Sequence, residues 1–207
     1  MTIKCQNAFL IPIVAFLSVL YLAGCGSYET AVQHAQQRKY INLPIMGHGK
    51  ANADELARYF ISKNKNVTKG FITKFAQIYI DEANAEGVNS DVAFIQMCLE
   101  TNYLHFGGQV KPRQYNFAGI GALDNGVQGA SFRNIQTGIR AQIQHLKAYA
   151  SKAPLNNKVV DPRFSYVKRN SVRYVSQLGN GNWATDPLYA KKLMHKLQQL
   201  YQVNNIS

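Results

Sequence analysis

The sequence predicts a mainly α-helical domain with an irregular, glycine-rich middle. Three observations carry that reading. Apolar residues recur at helical spacing from Asn52 onward. Residues that cap helices stand ahead of each such run. Six glycines between Gly107 and Phe132 break the pattern, which predicts loop with short extended pieces and room for a hairpin. At 207 residues the chain is long enough for one domain with its own core.

The elements follow in order. Asn52 caps a helix carrying Leu56, Tyr59 and Phe60. Thr68 caps the next, with Phe71, Phe75, Ile78 and Tyr79 on its apolar side and a stop near Gly87. Ser90 and Asp91 open a third, which runs through Val92-Ala-Phe-Ile-Gln-Met-Cys-Leu to Glu100. Asn134 opens a fourth, with Ile139, Ile143, Leu146 and Tyr149 on one stripe. Residues 157–166 read as irregular around Pro162. Ser171 is positioned to cap a short fifth helix through Val172, Val175 and Leu178, ended by Gly179. Thr185-Asp186-Pro187 signals the start of the last helix, which carries Tyr189, Leu193, Leu197 and Leu200 on one face. Six helices around an irregular middle are therefore expected.

The first 24 residues differ from the rest. A short polar start with one charge, Lys4, precedes an apolar run from Ala8 to Leu17 that is interrupted by Pro12 and followed by Ser18. The run is short for a membrane span and suits the apolar region of a secretory signal. It ends in Leu22-Ala23-Gly24-Cys25, which resembles the lipobox of bacterial lipoproteins. The resemblance implies cleavage before Cys25, diacylglycerol attachment to its thiol and a membrane partner. Gly26 follows where an Asp would retain such a protein at the inner membrane. The resemblance thus implies a cell-envelope protein anchored to the outer membrane and facing the periplasm. Residues 25–50 are polar, with Pro44, Gly47 and Gly49, and read as a tether ahead of a domain over 51–207.

Cysteine use agrees with export. With Cys5 removed and Cys25 lipidated, only Cys98 remains, and a lone cysteine forms no internal disulfide. It stands two positions from Glu100, which on a helix faces another way, so a small buried hydrophobe is its expected role. The formal charge is +12, and removal of Lys4 with the signal leaves +11. A basic surface favours polyanions, and for an exported chain the expected one is a cell-wall polymer rather than nucleic acid. His105 and His145 have no second ligand at metal spacing, so neither a metal nor a cofactor is expected.

Glu100 stands out chemically. A carboxylate at the end of an apolar helix, followed at once by Thr101-Asn-Tyr and then by Tyr115-Asn-Phe-Ala-Gly-Ile120, suits a general acid for sugar cleavage. Such a group must keep its proton near neutral pH. An apolar wall raises its pKa, and the negative end of the helix dipole adds to the rise. Sugars offer apolar faces edged with hydroxyls. Tyr103, Tyr115, Phe117, Trp183 and Tyr189 are candidate stacking rings, and Gln96, Asn102 and Asn116 candidate amide partners.

Three segments, Gln96-Met-Cys-Leu-Glu-Thr-Asn-Tyr103, Tyr115-Asn-Phe-Ala-Gly-Ile120 and Trp183-Ala-Thr-Asp-Pro-Leu-Tyr-Ala-Lys191, together resemble the glucosaminidase family, glycoside hydrolase family 73. The resemblance runs from about residue 68 to 203. It implies a lysozyme-like helical domain with a groove for a polysaccharide. It also implies hydrolysis of the β-1,4 bond between N-acetylglucosamine and N-acetylmuramic acid, so that peptidoglycan glycan strands are the partner. Glu100 falls on the family's acid. Asn116, Phe117 and Gly119 fall on the segment lining the groove beside it, and Trp183 and Tyr189 on the C-terminal aromatic motif. Many members carry Tyr where this chain has Trp183.

Glycosidases usually pair their acid with a second carboxylate. After Glu100 the chain has only Asp124, Asp161 and Asp186. Asp186 reads as a helix-start residue and Asp161 as a turn before Pro162. Asp124, in a Leu-Asp-Asn-Gly turn, is the candidate base, and the substrate's own acetamido group is the alternative. Two other functions compete. A lytic transglycosylase would carry a Ser after its Glu and a Gly-Leu-Met-Gln type turn, where this chain has Thr101 and Phe-Ala-Gly-Ile. A wall-binding lipoprotein without turnover would suit the small number of acids.

Overall fold

The computed structural model describes residues 43–108, 110–122 and 128–206. The signal segment, Cys25, most of the tether and Asp124 lie outside the described residues. The described residues hold five α-helices, three single 3-10 turns and no strand beyond two isolated bridges.

Helix α1 (Ala53–Lys63) starts where expected. Asn52 accepts from the Glu55 N–H, and the Glu55 carboxylate takes the Asn52 N–H in return, a reciprocal capping box. Helix α2 (Lys69–Glu86) is capped by the Thr68 hydroxyl and ends at Gly87. Helix α3 (Ser90–Glu100) is capped by Asn89, one residue earlier than the sequence suggested. The reason lies in Asp91. Its carboxylate is wholly buried and accepts from the Lys50 and Ala51 N–H groups and the Tyr201 hydroxyl, so it ties chain segments together and leaves the cap to Asn89.

Helix α3 is apolar almost all round, and such a helix must be buried on every side. Every residue from Ser90 to Cys98 is buried, and α3 contacts each of the other four helices. Helix α4 (Ile135–Ala150) is latched to α2 by two ion pairs, Arg140 to Glu82 at 2.7 Å and the buried Lys147 to Glu86 at 2.8 Å. Helix α5 (Tyr189–Val203) packs on α1 and α3 through Leu193, Leu197 and Leu200. Cys98 is a free thiol with no exposure, and burial pushes its pKa far above the ordinary value.

Three expectations need correction. The last helix begins at Tyr189, later than Thr185-Asp186-Pro187 implied. Asp186 accepts from the Leu188 N–H two residues on, and this local turn competes with the helix. The helix expected after Ser171 is only a 3-10 turn, Val175–Gln177. Val172, Val175 and Leu178 are buried as predicted, but the Val172 and Val175 N–H groups go to the carbonyls of Tyr149 and Leu43 rather than into a helix. Residues 43–50, read as the end of a tether, pack on the domain: Ile45 is fully buried and its backbone bonds to Arg173 and Asn89.

The segment around Tyr115 and Phe117 crosses α4 closely. A Cβ on Gly138 would stand 1.8 Å from the Tyr115 carbonyl oxygen, a backbone atom that cannot yield alone. Gly138→Ala is therefore expected to push this segment off the helix and to destabilise the domain by about 1–3 kcal/mol. Denaturant unfolding checks this, with a lower midpoint at unchanged m-value expected.

Candidate active site

The end of α3 meets the start of α5 and the loop that crosses α4. Glu100, the last residue of α3, is half-buried. Its Oε1 accepts the Trp183 indole N–H at 3.0 Å and the Tyr189 hydroxyl in a short hydrogen bond. Its Oε2 faces Gly119, where a Cβ would stand 3.7 Å away. Gly119 has φ +66°, a left-handed conformation that a side chain would strain, so glycine brings loop backbone up to the carboxyl.

Burial raises the Glu100 pKa above the usual carboxylate value, and the hydrogen bonds from Tyr189 and Trp183 offset only part of the rise. No described arginine or lysine forms an ion pair with it. Two adjoining hollows open onto Glu100, of about 320 and 380 Å³. Thr101, Phe106 and Val110 line one, Trp183, Ala184 and Thr185 line the other, and Gly119 and Ala122 are common to both.

A buried chain of polar groups fixes the direction of the Tyr189 hydroxyl. The Ala93 carbonyl can only accept, so the group facing it at 3.0 Å must be the Gln142 amide nitrogen. That nitrogen also donates to Gln96 Oε1 at 2.9 Å, which leaves the Gln96 amide nitrogen to donate to the Tyr189 oxygen at 3.2 Å. The free Gln142 oxygen accepts the Tyr79 hydroxyl at 2.6 Å. The Tyr189 O–H is thus committed to Glu100. Burial, followed by the neighbouring Glu100 charge, holds the Tyr189 phenol well above its ordinary pKa, so it stays a donor. With two donors on Oε1, a protonated Glu100 carries its hydrogen on Oε2, the oxygen facing Gly119.

The structure brings Gly119, Trp183 and Tyr189 to Glu100 and sets Asn116 in the lining of one hollow, and it places Phe117, Tyr103, Asn102 and Gln96 elsewhere. Asn116 is buried, and its amide bonds the Ile120 N–H, the Ile120 carbonyl and the Ala130 carbonyl, which holds the Gly119 turn in shape and leaves no free edge for a sugar. Phe117 packs edge-on against Phe75 in the core, with centroids 5.1 Å apart. Tyr103, expected to stack on substrate, is buried against Phe60 and shares its hydroxyl with Tyr59 and Lys196. Asn102 is exposed in the turn after α3. Gln96 supports Tyr189 from within the core rather than contacting the cleft.

Sequence reasoning missed Gln142, although a polar residue between Ile139 and Ile143 on an apolar stripe is a readable signal. It also took His145 and Asp161 as ordinary. They form a pair at 2.7 Å, and the His145 ring meets Trp183 edge-on at 5.0 Å. Among the described residues no group of His, Cys, Asp and Glu side chains has the arrangement of a metal site.

Comparison with known proteins supplies the family. A family model described as glucosaminidase, mannosyl-glycoprotein endo-beta-N-acetylglucosaminidase, matches residues 76–202, which span every element of the site. The chain is also 46% identical over 194 residues to an uncharacterized protein of Borreliella burgdorferi, covering 92% of this chain and 94% of that one. With a match over more than half its length, the chain belongs to the glucosaminidase family and is a glycoside hydrolase on a mainly helical, lysozyme-like domain.

Proposed function

We propose that the protein hydrolyses the β-1,4 bond between N-acetylglucosamine and N-acetylmuramic acid in peptidoglycan, with Glu100 as general acid. The family supports a peptidoglycan-degrading glycosidase. The observation that carries the finer reading is the division of labour within the Glu100 carboxyl. Oε1 is held by Trp183 and Tyr189, and Oε2 stands at the cleft. A raised pKa favours the protonated acid, and a proton on Oε2 faces the cleft, within reach of a glycosidic oxygen. Trp183 takes the place of the family's tyrosine and supplies a donor from nitrogen instead of oxygen.

Asp124 is the proposed second carboxylate. Asp161 is paired with His145 and Asp186 with Lys192, and neither lines the hollows at Glu100. Asp124 follows Ala122, which lines both, by two residues. Asp124→Asn is expected to lower kcat by more than about tenfold, or about 1.4 kcal/mol of barrier. A smaller loss in steady-state kinetics would transfer the role to the substrate's acetamido group. We also propose lipidation of Cys25, with the domain held at the outer membrane facing the periplasm; the sequence Leu22-Ala23-Gly24-Cys25 supports this.

Product analysis of purified sacculi, digested with the chain lacking residues 1–25, tests the function. New reducing N-acetylglucosamine ends are expected. Anhydromuramic ends would indicate a transglycosylase, and wall binding without released sugar a binding protein.

A further inference from the structure

A third hollow, of about 200 Å³, lies beside the acid and shares Gly119 and Trp183 with the cleft. His145, Tyr149, Arg163 and Tyr166 help to line it. Its cation is built in. The Arg163 guanidinium lies over the Tyr166 ring, 4.6 Å from the centroid, and Tyr166 is 73% exposed. A guanidinium lying over a ring keeps its N–H edge available for a two-point contact with a carboxylate. Among the described residues Arg163 takes part in none of the ion pairs.

The position of Arg163 is coupled to the acid by an unbroken series of contacts. Its backbone N–H donates to Asp161 at 2.8 Å. Asp161 pairs with His145, the His145 ring abuts Trp183, and the Trp183 N–H holds Glu100. These contacts set the backbone of Arg163 relative to the acid, and the guanidinium it carries lines the hollow beside the cleft, where a charged substituent on the sugar next to the cleaved bond can meet it.

We propose that this hollow is a subsite for a carboxylate-bearing part of the substrate, with Arg163 as its anion-binding residue and the Tyr166 and Trp183 rings as its walls. This rests on the peptidoglycan reading above, in which carboxylates come from two sources: the lactyl ether of muramic acid, freed when the peptide is removed, and the stem peptide itself.

Trp183 is the sole tryptophan of the chain and lines the hollow, so its emission reports occupancy. The test uses the full chain in detergent, in a Glu100→Gln background, so that binding is read without turnover. Three ligands are titrated: soluble glycan strands with stem peptides, the same strands stripped of peptides, and neutral N-acetylglucosamine oligosaccharides. Arg163→Gln is expected to weaken anionic strands about tenfold and to leave the neutral oligosaccharide within about twofold. A loss confined to peptide-bearing strands assigns the carboxylate to the peptide, and a loss on stripped strands assigns it to the lactyl group. Equal weakening of neutral and anionic ligands, no weakening of either anionic strand, or no Trp183 response to anionic strands overturns the subsite. If the subsite fails while sacculi still yield reducing N-acetylglucosamine ends, the proposed hydrolysis stands; if those ends are absent, it falls on its own.

Discussion

Glu100→Gln is expected to lower muropeptide release on the order of 10³-fold, a barrier increase of about 4 kcal/mol. The amide keeps the shape of the carboxyl but has no acidic proton to give to a leaving oxygen. Folding is expected to survive, because the residue lies at the end of its helix and its side chain opens on the cleft. Wall binding should also persist, since the basic surface is untouched. Measuring soluble muropeptides beside the melting temperature and pelleting with sacculi separates these effects. A variant that digests sacculi at a similar rate would remove Glu100 from the mechanism.

Tyr189→Phe is the second large effect, expected at roughly 10- to 100-fold in kcat, or about 1.5–3 kcal/mol for a lost hydrogen bond to a charged group. The ring is retained and only the donor to Oε1 disappears. The pH profile carries the more specific signature. A hydrogen bond donated to the carboxylate favours its ionised form, so losing it raises the Glu100 pKa further. The acid works protonated, and activity falls as pH rises through that pKa. The alkaline limb of kcat against pH is therefore expected to move to higher pH in the variant. The Gln96 amide nitrogen also loses its partner in the core, so a stability cost of about 1–3 kcal/mol should accompany the change. An alkaline limb that stays in place would show that Tyr189 does not tune the acid.

Much of this architecture was legible in the sequence, because burial and caps leave local marks. Asn52, Thr68 and Asn134 each cap the helix that their position announced. Glu100 could be singled out because an apolar helix ending in a lone acid is unusual. What stayed hidden were the partners of side chains that look alike in a sequence. Asn116 fits a sugar-binding reading by residue type and by its place in the family's groove segment, and Tyr103 by residue type alone. Their actual bonds, to the Ile120 backbone and to Tyr59, are made by residues brought near in the folded chain. The same holds for Gln96 and Gln142, whose pairing spans two helices and whose direction is set by a single carbonyl on α3. The residues after Ser171 failed for a related reason. Their apolar spacing fitted a helix, but distant carbonyls captured the N–H groups that a helix would have used.

Helix α3 touches all four of its fellow helices, and Glu100 is its final residue. Its backbone amides should therefore rank among the slowest to exchange with deuterium, opening only when the whole molecule opens. Heating would then displace the backbone that carries the carboxyl only as the fold itself is lost.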